Sequence, residues 1–202
     1  MTKKLLFTGF EPFGDWQSNP SFDALKFAAD DGLFDAPDLA VEIAEIPVDY
    51  DRAFDAVEKL VESVNPTAIV HFGLHGGMGR GRDVIYVETT ARNRNRASKP
   101  DNAGVQRDTS VISTNEPDTI STTLPASALR NALSRAGFSV ETSDDAGGYL
   151  CNFLFFRTLS AYGQQIPCGF IHVPPVETLG GVITVERMAH SMATVARVLA
   201  FD

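Results

Sequence analysis

Two kinds of apolar pattern alternate along the chain. Short apolar runs, and runs that alternate apolar with polar residues, predict β-strands at residues 4–8, 41–46, 68–73, 83–91, 138–142 and 168–173. Longer segments with apolar residues three and four positions apart predict helices at residues 20–28, 51–64, 125–136, from 151 onward, and 182–199. This order predicts an α/β fold, with a mixed, mostly parallel twisted sheet in a three-layer α/β/α arrangement. No repeat or linker divides residues 1–202, so we expect a single domain.

Composition and charge narrow the choice of partners. Of 202 residues, 44% are hydrophobic, enough for a substantial core. The formal net charge of -9 argues against nucleic acid or an anionic membrane as the main partner. No run approaches the roughly 20 apolar residues that cross a bilayer, and the N-terminal apolar run is too short for a signal peptide. A disulfide between Cys151 and Cys168 is possible, but a reduced, cytoplasmic protein is the better expectation.

The stretch around Cys151 is the first candidate for chemistry. Gly147 and Gly148 allow a sharp bend and a close approach of the backbone, and a helical apolar pattern follows them. Cys151 would then lie in the first turn of a helix, where unpaired N–H groups and the helix dipole favour the nucleophilic thiolate. The alternative is that Cys151 is one more buried apolar residue, the commoner fate of a free cysteine.

A nucleophilic cysteine needs a base, and an acid that orients the base. His172 ends a predicted strand, and strand ends gather with helix N-termini at one edge of an α/β sheet. His71 and His75, near another strand end, are rivals, whereas His190 lies within the final helix. Glu88, on a β-rich segment, is one candidate for the acid, and the others are Asp101, Asp144 and Asp145.

The loop after the first strand is unusually aromatic. Phe10, Phe13 and Trp16 either complete the core or line a pocket at the strand end, where open α/β sheets bind ligands. The pattern favours neither interpretation. Ser18 or Asn19 can cap the helix that follows, which begins with a proline.

Two other segments carry weaker signals. Residues 73–82 contain five glycines, but they lack the Gly-Lys-Ser/Thr motif and the glycine spacing of a dinucleotide site, so we discount a phosphate cradle. Residues 92–96 contain three arginines. A solvated surface is the first interpretation of this basic segment, and closure over a negatively charged site is the second.

Four motifs, in the right order, make the chain resemble the pyroglutamyl-peptidase I family, the pyrrolidone-carboxylate peptidases. They are FTGFEPFG with NPS at residues 7–14 and 19–21, ETTARN at residues 88–93, YLCNFLF at residues 149–155, and GFIHVP at residues 169–174. Counting back without a gap from PDN at residues 100–102 puts Glu88 on the family's catalytic glutamate. The resemblance runs almost from end to end.

The resemblance implies a cysteine peptidase that hydrolyses the amide bond after an N-terminal pyroglutamyl residue through a thioester. It implies Cys151 as nucleophile, His172 as general base and acid, and Glu88 as the orienting carboxylate. Phe10 and Phe13 would clasp the lactam ring, and the other substrate-binding residues that it implies are Asn19, Tyr149 and Leu150. It implies pyroglutamyl peptides as partners, no metal ion or other cofactor, and possible assembly into a homotetramer.

The chemistry of the residues suits such a substrate. Pyroglutamate is a small neutral lactam without a free amine, so it needs a flat apolar slot and a few backbone hydrogen bonds. Backbone N–H groups around Cys151 could form the oxyanion site.

Two departures from the family keep other interpretations open. Many relatives carry a glutamine where Leu74 stands, and residues 74–82 as a whole are atypical. Ser98 stands where an arginine is expected, and Arg94 or Arg96 could compensate for it. The alternatives are an amidase of the same mechanism with a different small acyl group, and a non-catalytic ligand-binding relative, which the complete set of three catalytic residues disfavours.

Overall fold

The computed structural model describes residues 2–14, 16–75 and 83–201. Its strands are β1 Lys3–Phe10, β2 Leu39–Ile46, β3 Ala68–Leu74, β4 Val84–Glu88, β5 Thr90–Arg92, β6 Thr119–Ser121, β7 Ser139–Ser143 and β8 Cys168–Val173. Its helices are α1 Pro20–Asp30, α2 Ala53–Val64, α3 Ala126–Arg135, α4 Leu150–Tyr162 and α5 Val185–Phe201, with a 3-10 turn at Glu177–Leu179. Each predicted helix is therefore confirmed, with ends displaced by a few residues.

The main sheet has the strand order β2-β1-β3-β8-β4-β7. β2, β1, β3 and β8 are parallel, β4 is antiparallel to β8, and β7 is parallel to β4. A single antiparallel junction therefore lies inside an otherwise parallel arrangement. The prediction of a mixed, mostly parallel sheet is confirmed.

Helices cover both faces of this sheet and bury two separate cores. One core joins the sheet to α1, α3 and α5, and the other joins it to α2 and α4. β3 and β8 lie in the middle and are buried along their whole length. Strands that are covered on both faces favour apolar residues at most positions, which explains the largely apolar sequences of β3 and β8.

The segment predicted as one strand over residues 83–91 is divided in the structure. β4 ends at Glu88, and β5 leaves the main sheet to pair with β6 in a separate two-stranded sheet. The prediction of a single strand was wrong here, because the alternation of side chains typical of a strand continues through Thr89 without a break in the sequence. Only the pairing partners show that the chain changes sheet, and β6 was not predicted because only three of its residues pair.

Candidate active site

Cys151 is the second residue of α4, as the sequence pattern predicts. Gly147 makes the bend before the helix with a φ of 85°, a conformation that favours glycine. Gly148 lies against the backbone of Arg96, so closely that an added Cβ would be 2.7 Å from the Arg96 carbonyl oxygen. The half-buried thiol of Cys151 therefore lies at the positive end of the helix dipole, where it lines a surface cavity.

The antiparallel junction brings Glu88 to His172. Tyr86 on β4 is opposite His172 on β8, so Glu88, two residues further along, lies diagonally across on the same face. The Nδ1–H of His172 donates to Oε1 of Glu88 over 2.6 Å, and both side chains are buried. Nε2 of the ring is left for the cavity that His172 and Cys151 line together, and the sulfur is close enough to raise the pKa of the imidazole.

The charges around His172 favour its protonated form. Burial alone lowers the pKa of an imidazole, but the Cys151 sulfur and the Glu88 carboxylate outweigh burial and raise the pKa of His172 to about 9. At neutral pH the imidazolium therefore lies between two acidic partners. This arrangement can hold a thiolate and can deliver a proton to a group beside it.

The rival histidines occupy other places. His71 is fully buried, where its ring bridges the hydroxyl groups of Thr8, at 2.6 Å, and Thr158, at 2.9 Å. Burial lowers the pKa of His71 to about 3, so it is neutral. His75 is buried after the end of β3, with Nε2 3.2 Å from the Val84 carbonyl oxygen. His190 is exposed on α5.

The rival acids have structural contacts. The carboxylate of Asp101 accepts backbone hydrogen bonds from Tyr50, Ala103 and Val105, which shape the turn that contains it. Asp144 and Asp145 form ion pairs with the arginines at positions 92 and 94. Glu88, in contrast, is hydrogen-bonded to His172.

A small cavity brings together the five substrate-binding residues that the family resemblance implies. Its volume is about 40 Å³, and it is bounded by aromatic and aliphatic side chains and by Cys151. The lining residues are Phe10, Phe13, Asn19, Val48, Leu74, Tyr149, Leu150 and Cys151. We call this cavity the inner slot. Phe10 lines the slot and also packs in the core against Phe170, so both roles considered for it from the sequence apply.

A second, wider cavity adjoins the inner slot. Its volume is about 560 Å³, and it shares Phe13, Leu74, Tyr149 and Cys151 with the slot. His172 lines this wider cavity, which we call the outer pocket. The sulfur of Cys151 therefore lies where a narrow apolar space meets an open one.

Polar contacts hold the aromatic loop in place around the slot. The amide of Asn19 caps α1 by accepting from Ser21 N–H, and it donates to the Glu11 carbonyl. The Glu11 carboxylate accepts from Val48 N–H at 2.9 Å and from the Asn102 amide at 2.8 Å. Because the Asn19 amide is engaged in this way and is 2% exposed, its contribution to the slot is one of shape.

Sequence reasoning missed Asn152, the residue after the cysteine. Its buried amide accepts from Arg92 N–H at 2.8 Å and donates to the carbonyl oxygens of Arg92 and Arg94 at 2.8 and 3.0 Å. It thereby fixes the basic segment to the helix that carries Cys151. A polar residue inside an otherwise apolar helical run was the available signal, since buried polar groups are nearly always hydrogen-bonded.

We expect Asn152→Ala to destabilise the protein by about 2–4 kcal/mol, because three hydrogen bonds between the buried Asn152 amide and the backbone are lost. Asn152→Asp should be at least as harmful, since a carboxylate cannot donate to the two carbonyl oxygens. Denaturant unfolding measures both, and Gln165→Ala, at an exposed helix end, is the control, with an expected change below about 0.5 kcal/mol. Wild-type stability of the Asn152→Asp protein would contradict this role.

The second cysteine is remote from this chemistry. Cys168 is fully buried at the start of β8, and burial raises the pKa of its thiol to about 12. Both cysteines are free, so the disulfide considered from the sequence is not formed. Within the described part of the chain, no group of three or more His, Cys, Asp or Glu side chains is arranged to hold a metal ion.

The departures from the family pattern lie at the outer pocket. Leu74 lines both cavities and Ser98 lines the outer one, whereas residues 76–82 of the glycine-rich segment are outside the described residues. Arg94 forms an ion pair with Asp145 at 3.5 Å. Neither Arg94 nor Arg96 is among the described residues that line either cavity.

Comparison with known proteins links this geometry to one family. A family model described as pyroglutamyl peptidase matches residues 3–200. A pyrrolidone-carboxylate peptidase of Pseudomonas fluorescens is 34% identical over 171 residues, which are 84% of this chain and 78% of the relative. A protein of the same name from Aliivibrio fischeri (strain MJ11) is 30% identical over 204 residues, 98% of this chain and 92% of the relative.

Solved structures show the same similarity in three dimensions. Pyroglutamyl peptidase I from Bacillus amyloliquefaciens superposes with a TM-score of 0.89 at 28% identity, covering 100% of this chain and 97% of that one. Pyrrolidone carboxyl peptidase from Thermococcus litoralis superposes with a TM-score of 0.87 at 28% identity, covering 98% and 93%.

Proposed function

The chain belongs to the pyroglutamyl peptidase family, and we propose that it uses Cys151, His172 and Glu88 to remove N-terminal pyroglutamate from peptides. Members of this family are cysteine peptidases of the omega-peptidase type. The observation that carries the assignment of residues is the hydrogen bond of His172 to Glu88, together with the place of His172 and Cys151 in one cavity beside the inner slot. The family match over residues 3–200 also supports one peptidase domain.

The first chemical step is attack by the Cys151 thiolate on the carbonyl carbon of the pyroglutamyl residue. A carbon–sulfur bond forms, and the carbonyl oxygen becomes an oxyanion. Backbone N–H groups in the first turn of α4 are the donors closest in sequence to the sulfur, and they can stabilise this charge together with the helix dipole.

Proton transfer by His172 completes the cleavage. The imidazolium donates its proton to the leaving amine, the carbon–nitrogen bond breaks, and a thioester with Cys151 remains. The neutral imidazole then takes a proton from water, whose oxygen attacks the thioester and releases pyroglutamate. Glu88 keeps Nδ1 engaged throughout, so that Nε2 faces the reacting atoms.

The inner slot accounts for selection of the acyl group. Its walls are mainly aromatic and aliphatic, and no acidic side chain is among the described residues that line it. A charged N-terminal amine would lose its water there without gaining a partner, whereas a neutral lactam has no such charge to desolvate. The slot therefore favours pyroglutamyl over ordinary N-terminal residues.

Arylamide hydrolysis tests this function against its alternatives. We expect release of the arylamine from a pyroglutamyl arylamide, with kcat/KM at least about 1,000-fold above that for the matched prolyl arylamide, whose ring is similar but carries an amine. Turnover of another acyl arylamide without turnover of the pyroglutamyl one would instead identify an amidase. No turnover of either, together with equal alkylation rates of Cys151 and Cys168, would identify a non-catalytic binding protein.

The expectations about partners follow from the same family. Pyroglutamyl peptides are the proposed substrates. The family resemblance is compatible with assembly into a homotetramer, which light scattering on the purified protein would measure. The low number of cysteines favours the cytoplasm. Across residues 2–14, 16–75 and 83–201, no helix has the length and apolar character needed to span a membrane.

A further inference from the structure

We infer that Lys99 makes this enzyme select substrates whose leaving group carries a negative charge close to the scissile bond. The charge can be the side chain of an acidic residue after pyroglutamate, or the free carboxylate of a pyroglutamyl dipeptide. This inference rests on the proposed function, because it concerns the part of the substrate that leaves.

The two cavities assign the two parts of the substrate. Cys151 lines both the inner slot and the outer pocket. A substrate whose scissile carbonyl carbon lies at the sulfur would therefore have its acyl group in one cavity and its leaving group in the other. The narrow apolar slot suits the ring of the acyl group. The leaving group must then extend into the outer pocket, where His172 can protonate its nitrogen.

Lys99 is a wall residue of the outer pocket only. Its ammonium nitrogen lies 4.2 Å from the ring centroid of Phe13 and 5.5 Å from that of Tyr149. Both rings line the slot as well, so the cation lies close to the border between the two cavities. Contact with aromatic faces favours this position of the ammonium group.

Among the residues that the structure describes, the charge of Lys99 is not matched by an acidic neighbour. Among the described residues that line the outer pocket, none is Asp or Glu, although the chain as a whole has a net charge of -9. Within the described ranges, Lys99 forms no ion pair, in contrast to Arg92, Arg94 and Arg107. A cation in such surroundings is a ready partner for an anionic ligand.

The electrostatics of Lys99 agree with this position. Burial of its ammonium against the pocket wall lowers the pKa of Lys99, and the nearby Cys151 partly offsets that shift. Another cation at the pocket, His172, is already compensated by Cys151 and Glu88. Of the described residues that line the pocket, Lys99 therefore has charge available for the substrate.

Matched substrate pairs test the inference, since each pair differs only in one charge. The first pair is pyroglutamyl-alanine and pyroglutamyl-alanine amide. The second pair is pyroglutamyl-glutamic acid amide and pyroglutamyl-glutamine amide. We expect kcat/KM for the charged member to exceed that for the neutral member by about five- to tenfold at low salt in at least one pair, and the ratio to fall as salt is added. The first pair tests the free carboxylate, and the second tests the acidic side chain.

Substitutions at Lys99 separate recognition of charge from a general defect. Lys99→Met keeps the aliphatic stem and should bring the ratio to about one, whereas Lys99→Arg should keep the preference for the charged member. Lys59→Met, at an exposed position on α2, should leave the ratio unchanged. The ratio within a pair is the readout because damage to the catalytic groups reduces both members equally.

The outcomes distinguish this inference from the proposed function. Suppose the wild-type enzyme cleaves the pyroglutamyl arylamide, but the charged-to-neutral ratio of kcat/KM is the same in the wild type and in Lys99→Met. That result would overturn the role of Lys99 and leave the peptidase function intact. Wild-type enzyme that cleaves no pyroglutamyl compound would overturn both.

Discussion

Replacing Cys151 by alanine should lower kcat/KM for a pyroglutamyl arylamide by at least about 10,000-fold. The substitution removes the sulfur that would form the thioester, and no other thiol lines either cavity among the described residues. Cys151→Ser should also be severely impaired, since a hydroxyl group is far less acidic than a thiol and the imidazolium of His172 is not available as a base. Steady-state hydrolysis rates measure both effects.

Cys168→Ala is the matched control for this prediction. Cys168 is fully buried in β8, and burial raises its pKa to about 12, so it should neither react with alkylating reagents nor affect turnover. Iodoacetamide should inactivate the wild-type and Cys168→Ala proteins at the same rate and leave Cys151→Ala unlabelled. A Cys151→Ala protein that keeps wild-type activity would eliminate the mechanism.

Replacing Glu88 by glutamine should have the second largest effect, a loss of about 100- to 10,000-fold in kcat/KM, because the imidazole loses the anion that orients and stabilises it. The pH profile should change as well. Burial lowers the pKa of His172, whereas Cys151 and Glu88 raise it to about 9. The proton for the leaving amine is present below that pKa and is lost above it, so wild-type activity should fall as pH rises through about 9.

Removal of the Glu88 charge takes away one of the two interactions that raise the pKa of His172, so this pKa should fall. The descending limb of the Glu88→Gln pH profile should therefore lie at lower pH than in the wild type. Glu141→Gln, at an exposed position on the neighbouring strand β7, should change neither the rate nor the limb. A Glu88→Gln enzyme with slow turnover but an unmoved descending limb would restrict Glu88 to a structural role. Thermal unfolding of both variants checks that the fold is retained.

Much of the fold could be predicted because local patterns agree with burial. β3 and β8 are continuous apolar runs because both faces of the sheet are covered, and α2 has apolar residues at helical spacing because one side faces the sheet. The bend before Cys151 was predictable because it needs glycines: Gly147 has a positive φ, and Gly148 lies against the backbone of Arg96.

The sequence indicated which residues form the candidate site, but not how they are arranged. Sequence reasoning expected three side chains to meet at one edge, where parallel strands end. That picture was incomplete, because β4 is antiparallel to β8 and Glu88 reaches His172 diagonally across two paired strands. Composition alone left Asp101, Asp144 and Asp145 as alternatives, and the resemblance of motifs, not periodicity, selected Glu88.

The sequence by itself determined the alternation of strands and helices, the cysteine at a helix start, and the family, because these depend on residues that are near one another in the chain. The tertiary structure decided which strand is antiparallel, which carboxylate touches the imidazole, and how Lys99 comes to lie over Phe13 and Tyr149. These are contacts between residues far apart in sequence. They depend on strand order and on the shape of loops, which the period of an apolar pattern does not encode.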